Sequence, residues 1–319
     1  MRVFSAADVD ASLDFPMLVD ELSRAMRGGF IAPPRHHHAI ERAGEPAATH
    51  LLMPAWTESA SSAGLYLGVK IVNFFPGNSS RGLPAVTGLY VLQSGRSGET
   101  LAAIDGTRLT LWRTAAASAL AARHLARSDA QGLLVVGAGA LAPFLARAHA
   151  SVRLMNAITI WNRRPEGAQR VASALGATGL PARATEDLEA AVAEADIVSC
   201  ATLATAPLVE GRWLKAGQHL DLVGAFAMSM READDEALRR ARIFVDTDAA
   251  CSEGGDVAIG LANGVISRAE IVADLPALCR GAQGRRTGDE ITLFKAVGAA
   301  VEDLAAAMLV WRRAGGAAP

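Results

Sequence analysis

Cysteine is rare in this 319-residue chain, and lysine is scarce beside arginine. The three cysteines, Cys200, Cys251 and Cys279, are odd in number, far apart and without a Cys-x-x-Cys pair. That argues against a disulfide framework or a zinc site and points to a reducing compartment. Long apolar runs are also missing. Glycine, proline or charge breaks each one before the roughly 18–20 residues a membrane span needs. Met1–Asp10 carries Arg2 but no apolar stretch, so no signal peptide is expected and the chain is read as cytoplasmic. Charge of one sign is lacking too: the net charge is −2 and no basic block appears. Nucleic acid and membrane are therefore not expected partners.

Apolar residues are plentiful, at 51%, enough to bury the core of one large domain or two smaller ones. Asp14 is placed to cap a helix over Phe15–Arg27, with Phe15, Leu18, Val19, Leu22 and Met26 on one face and Gly28-Gly29 ending it. Thr49–Pro54, Leu65–Phe74 and Gly88–Gln93 read as strands, and Leu109–Arg127 as a long alanine-rich helix. The pattern then changes to short apolar strands alternating with helices. Strands are expected at Gly132–Gly137, Ala157–Trp161, Ile197–Ala201, His219–Val223 and Ile243–Val245, with helices at Leu141–Ser151, Glu166–Leu175 and Thr185–Ala195. Such alternation means βαβ units on a parallel sheet. A last helix is read over Leu293–Arg313, mildly interrupted by Gly298. The expected class is α/β: a doubly wound domain inserted into a split, strand-rich α+β domain.

Leu133-Leu-Val-Val-Gly137-Ala-Gly139-Ala-Leu-Ala142 fits G-x-G-x-x-A, with a strand before it and a helix after. Gly137 suits the tight turn, Gly139 lets backbone approach a pyrophosphate, and Ala142 lets helix and strand pack closely. The helix N-terminus then offers free N–H groups to the phosphates. The next strand ends in Trp161-Asn162-Arg163-Arg164. An acidic residue there would accept from the ribose of NAD. Two arginines suit the 2′-phosphate of NADP(H) instead, with NAD(H) as the alternative.

With a nicotinamide cofactor carrying the hydride, the protein has to hold the substrate and manage a proton. Arg35 follows the stiff pair Pro33-Pro34 and is either a surface-loop arginine or an aimed one. Lys70 interrupts an apolar strand, where a lysine is either buried and paired or snorkelling from an edge. Arg113 sits in the alanine-rich helix, on a face the spacing does not decide. His36-His37-His38 has no second ligand cluster, and adjacent histidines on an extended chain point in different directions, so no metal is expected. Glu253 and Asp256, beyond the last sheet strand, either line the cleft at the strand ends or cap a helix.

A set of short motifs runs through the chain: Pro34-Arg35, Leu52-Met53-Pro54, Gly68-Val69-Lys70, Phe75-Pro76-Gly77-Asn78 and Arg113-Thr114-Ala115-Ala116. It continues through Gly137-Ala-Gly139, Trp161-Asn162-Arg163, Ala195-Asp196-Ile197, Val223-Gly224-Ala225, Thr292-Leu-Phe-Lys295 and Val301-Glu-Asp303. By these motifs the chain resembles the ornithine cyclodeaminase/mu-crystallin family along nearly its whole length. The resemblance implies a homodimer and a Rossmann domain spanning 123–292. It also implies a substrate and dimerisation domain made of 1–122 plus 293–319, to which the last helix returns. It implies that Arg35, Lys70 and Arg113 hold the substrate carboxylate and surround the reacting carbon. Cofactor contacts are expected from Gly137, Gly139, Ala140, Leu141, Asn162, Arg163, Arg164, Thr114, Thr202 and Ala225.

Two positions depart from the family pattern. Leu141 stands where members often carry glutamine, and Phe226 stands where ornithine cyclodeaminases carry a catalytic aspartate. Without that carboxylate, activation of a second amino group is hard to explain. The reading favoured is reduction of a small cyclic imino acid, of pyrroline-2-carboxylate or ketimine type, by NAD(P)H. The alternatives are an ornithine cyclodeaminase, an alanine-type dehydrogenase, and a crystallin-like NADP-binding protein without turnover.

Overall fold

Asp14 starts the first long helix as the pattern requires: its carboxylate accepts from the Met17 N–H at 2.9 Å, and the helix runs Phe15–Arg27. Gly28 and Gly29, both at positive φ, end it. The computed structural model describes every residue except Ala60, Ser62 and Ala63. The first stretch of chain holds β1 (Arg2–Phe4), α1 (Ala6–Ser12), α2 (Phe15–Arg27), β2 (Phe30–Ile31), β3 (His36–Ile40), β4 (Ala48–Thr57), β5 (Tyr66–Phe74), β6 (Val86–Ser94), β7 (Thr100–Asp105) and α3 (Gly106–Leu125). Then come β8 (Gly132–Val136), α4 (Ala142–Val152), β9 (Ala157–Trp161), α5 (Pro165–Gly176), β10 (Ala182–Thr185), α6 (Leu188–Glu194), β11 (Ile197–Cys200) and β12 (His219–Leu222). The remainder is α7 (Asp235–Arg240), β13 (Ala241–Val245), α8 (Gly255–Ala262), β14 (Ile271–Asp274), α9 (Leu275–Cys279), β15 (Ile291–Lys295) and α10 (Ala300–Arg313).

Backbone packing divides the chain into Met1–Arg113 with Ala299–Pro319, and Thr114–Gly298. The division falls inside α3 and after β15, whereas the family resemblance implies 122/123 and 292/293.

In the first unit, β1-β7-β6-β5-β4-β2 form a sheet in that order, with β3 sharing the outer edge of β4. Side chains alternate across it. One face carries the rung Met53, Lys70, Tyr90 and Ile104, all buried, and α10 packs against β4, β5 and β6. The other face carries Leu52, Ile71 and Leu89 in one rung and Pro54, Val69, Val91 and Ala103 in the next, none of them buried.

In the second unit, eight parallel strands run β10-β9-β8-β11-β12-β15-β13-β14. Strand order reverses between β8 and β11, the point where sheets of this kind bind ligands at the carboxyl ends.

Two expected elements need correction. The stretch read as a helix over Leu293–Arg313 begins as a strand: β15 pairs with both β12 and β13, buried throughout. Gly298 adopts a φ of +82°. The Val297 and Gly298 N–H groups donate to the Asp246 carboxylate at 2.7 and 2.6 Å, so α10 starts only at Ala300. A central strand slot outweighed local helix propensity there. The helix read over Thr185–Ala195 is Leu188–Glu194, because Asp187 caps it by accepting from the Ala190 N–H. Thr185 ends an edge strand instead.

Candidate functional site

In the first unit, period-two alternation turns Lys70 onto the covered face with Tyr66 and Gly68, and leaves it 1% exposed. An ammonium closed off from water needs an anion. Lys70 Nζ donates to Asp303 Oδ1 at 2.9 Å and lies 2.8 Å from Oδ2. Arg113, also buried, donates from Nη1 to Glu302 Oε2 at 2.7 Å, and its Nε lies 3.0 Å from Asp303 Oδ1. Glu302 and Asp303 occupy the first turn of α10, both fully buried. The helix N-terminus favours carboxylates at that position. Two cations and two carboxylates thus form one enclosed network. Burial is the main cause that brings the Lys70 ammonium down to about 8, helped by the Arg113 charge and opposed by Asp303.

Tyr90 lies directly across the ladder from Lys70. Its ring covers Gly68, where a Cβ would stand 2.4 Å from the Tyr90 hydroxyl oxygen. That hydroxyl is buried and has no hydrogen-bond partner among the described residues. Burial, then the Asp303 charge, pushes it well above the usual tyrosine range.

Arg35 is half-buried in the loop between β2 and β3, immediately before His36. The histidine run lies on β3. His36 and His38 stack on one side, with ring centroids 6.5 Å apart, and His38 lies 6.3 Å from His50. Among the described residues no group of three or more His, Cys, Asp or Glu is placed to hold a metal ion.

In the second unit, Gly137 closes the turn after β8 with a φ of +110°. Its N–H donates to the Trp161 carbonyl at 2.8 Å, and a Cβ there would lie 2.6 Å from the Ala201 carbonyl oxygen. Only glycine fits between these strand ends. At Gly139 a Cβ would meet nothing within 4 Å. The backbone there borders open space, as a cradle for a pyrophosphate requires. Ala140 and Leu141 complete the turn into α4, whose first turn has no side-chain cap; the Ala142 N–H donates to the Gly139 carbonyl at 3.1 Å and the Phe144 N–H to the Leu141 carbonyl at 3.0 Å. These features fit a dinucleotide.

At the end of β9, Asn162 Nδ2 donates to the Arg164 carbonyl at 2.8 Å and shapes the turn. Arg163 and Arg164 are exposed. Thr202 follows β11 and Ala225 follows β12. Thr114 is half-buried within α3. Phe226, next in the loop after β12, is 37% exposed.

Sequence reasoning did not single out Glu302 and Asp303 as functional, although an acid pair at the head of an apolar helix is the complement a buried lysine demands. It also passed over Glu232 and Lys295. Glu232 is fully buried. Its Oε1 accepts from the Thr202 N–H and hydroxyl at 2.6 and 2.9 Å, and its Oε2 from the Gly224 and Ala225 N–H groups at 2.8 and 3.2 Å. Asp256 Oδ1 accepts from the Glu232 and Ala233 N–H groups, and its Oδ2 from Lys295 Nζ at 3.0 Å. Asp256 is therefore a buried partner of that network and not the cap of its own helix, which has no side-chain cap. Burial pushes the Glu232 carboxyl up to about 7, against the pull of Lys295.

The sequence profile of the ornithine cyclodeaminase/mu-crystallin family matches residues 4–317. Among curated proteins, Protein SAR DEFICIENT 4 of Arabidopsis thaliana is 45% identical over 82% of this chain and 81% of that protein. A Delta(1)-pyrroline-2-carboxylate reductase of Paracoccus denitrificans is 40% identical over 84% of each. Among solved structures, Thermococcus litoralis Delta(1)-pyrroline-2-carboxylate reductase, in complex with NADH and L-proline, superposes with a TM-score of 0.92. It is 31% identical, and the alignment covers 98% of this chain and 97% of that one.

Proposed function

The chain belongs to the ornithine cyclodeaminase/mu-crystallin family, and from that premise we propose that it reduces a small cyclic 2-imino acid, of pyrroline-2-carboxylate or ketimine type, to the amino acid. The observation that carries this reading is the enclosed Lys70–Asp303–Arg113 network, which presents cations in a water-poor place. The glycine turn after β8, in the other unit, separately supports a seat for a dinucleotide. NAD(P)H, when bound, supplies the hydride.

The rest falls to the protein. Arg35 and Arg113 hold the substrate carboxylate, where a guanidinium fork matches two oxygens at once. The enclosed network already balances two positive against two negative charges, so an incoming carboxylate calls for the further cation at Arg35. Lys70 keeps a proton available to the imine nitrogen, and its lowered proton affinity suits that task near neutral pH. Asp303 orients both cations and fixes them before substrate arrives. Phe226 supplies an apolar side chain where the cyclodeaminases of the family carry a carboxylate, which suits a substrate with no second amino group.

The cofactor reading extends to Gly137, Gly139, Ala140, Leu141, Asn162, Thr114, Thr202 and Ala225 as its seat. The guanidinium groups of Arg163 and Arg164 favour NADP(H) over NAD(H). The apolar face of the first sheet that carries Leu52, Pro54, Val69, Ile71 and Val91, all half-buried, and Leu89, exposed, supports a homodimer.

The test is the decay of nicotinamide absorbance with pyrroline-2-carboxylate, for the native chain and for Lys70→Ala, with NADPH and with NADH. Turnover by the native chain that Lys70→Ala abolishes is the expected result. No turnover with either nucleotide overturns the proposal.

A further inference from the structure

Thr202 and Ala225 stand on loops that follow two different strands, β11 and β12, yet one side chain ties both backbones. Glu232 takes the Thr202 N–H and hydroxyl on one carboxylate oxygen and the Gly224 and Ala225 N–H groups on the other. The fit leaves no slack. A Cβ at Gly224 would lie 2.2 Å from the Thr202 carbonyl oxygen and 2.4 Å from Glu232 Oε1. Glu232 is itself fixed from behind. Its N–H goes to Asp256, its carbonyl accepts from the Leu208 and Val209 N–H groups, and Lys295 balances Asp256. A second latch of the same kind occupies the opposite end of these strands. Asp196, just before β11, accepts from the Gln131 and Gly132 N–H groups at 2.8 and 2.9 Å, at the start of β8.

We propose that Glu232 is a positioning residue for the nicotinamide dinucleotide: its carboxylate holds the loops after β11 and β12 in the one arrangement that receives the cofactor. This rests on the reading of Thr202 and Ala225 as cofactor contacts. Ligands of doubly wound sheets sit at the carboxyl strand ends, where Glu232 acts, and not at the amino ends, where Asp196 acts. The two latches therefore separate fold support from cofactor support. Glu232→Gln replaces one acceptor oxygen by an NH2 that faces N–H donors, and so opens one of the two loops. Charge-assisted hydrogen bonds of this kind translate into about a 10- to 100-fold change in binding.

The experiment measures NADH and NADPH dissociation constants by nicotinamide fluorescence, with unfolding temperatures, for the native chain, Glu232→Gln and Asp196→Asn. The expected result is a dissociation constant raised tenfold or more in Glu232→Gln and unchanged in Asp196→Asn, although both variants melt earlier. Should Glu232→Gln fail to fold, Glu232→Asp keeps the charge, falls one methylene short of the loops, and is expected to weaken binding in the same way. Native-like affinity in the folded Glu232 variant overturns the inference alone. A native chain that binds neither nucleotide overturns both the inference and the cofactor reading beneath it.

Discussion

Lys70 and Asp303 stand 233 positions apart in the sequence and meet at 2.9 Å in a place closed to water. Asp303 also contacts Arg113, so one carboxylate serves two cations. Removing one partner from a buried ion pair costs about 3–5 kcal/mol, because the other charge is left without compensation. Asp303→Asn is expected to lower stability by about that amount, read from the denaturant midpoint. Lys70 can shed its proton in response, whereas Arg113 cannot. Adding Lys70→Met to Asp303→Asn should therefore cost less than the sum of the single changes. Strictly additive losses would refute the coupling.

The same burial predicts a pH dependence. The folded-state value for Lys70 is about 8, below the ordinary 10.5, with Arg113, Asp303, Glu302 and the Tyr90 hydroxyl around it. Between those two values the unfolded chain keeps a proton that the folded chain has given up. Stability from this group therefore rises with pH through that window and is lowest below it. Catalysis runs the other way. If protonated Lys70 serves the imine nitrogen, kcat/KM falls as pH rises past about 8. A profile that stays level through this range would remove Lys70 from that role.

Much of this arrangement was legible in the sequence, for identifiable reasons. The helix over Phe15–Arg27 carries its own cap and its own stop. The strand-glycine-helix pattern at Leu133–Ala142 depends on neighbours in sequence, and β8, its turn and α4 follow it. The long-range acid partners were not legible. Nothing near Lys70 in the chain says which carboxylate neutralises it, and Glu302-Asp303 lies in a helix that alone reads as apolar filling. β15 was misread for a related reason. Isolated, Leu293–Lys295 continues a helical pattern, and only the slot between β12 and β13 makes it a strand. Glu232 is hidden because three of its four donors are backbone N–H groups, which carry no sequence signature, and the fourth, the Thr202 hydroxyl, lies 30 positions away.

On the proposed cofactor reading, Arg163 and Arg164 are expected to decide between the two nucleotides. Both are exposed at the end of β9, where the ribose of a bound dinucleotide is expected. The double change to alanine should raise KM for NADPH by about tenfold or more while leaving NADH within about twofold, since a 2′-phosphate contact is a charge-assisted one. Equal loss with both nucleotides would assign the pair to the shared pyrophosphate or to solvent.

Arg35 is expected to act on substrate. It is half-buried in the loop between β2 and β3. Arg35→Ala should raise KM for the imino acid about 10- to 100-fold, as loss of a charged hydrogen bond does. An unchanged KM would leave carboxylate binding to Arg113 alone.

Gly137 and Gly139 are two residues apart in one turn, yet they are expected to fail differently. Gly137 has a φ of +110° and no room for a Cβ beside the Ala201 carbonyl. Gly137→Ala should therefore lose both stability, by about 1–3 kcal/mol of backbone strain, and nucleotide affinity. At Gly139 a Cβ enters open space and the backbone needs no positive φ. Gly139→Ala should melt like the native chain. Its dissociation constant for NADPH should still rise, because the added methyl occupies the space a pyrophosphate needs. Calorimetry beside fluorescence titration separates the two cases. Native-like binding by Gly139→Ala would mean that no phosphate approaches this turn and would leave the dinucleotide without its expected seat.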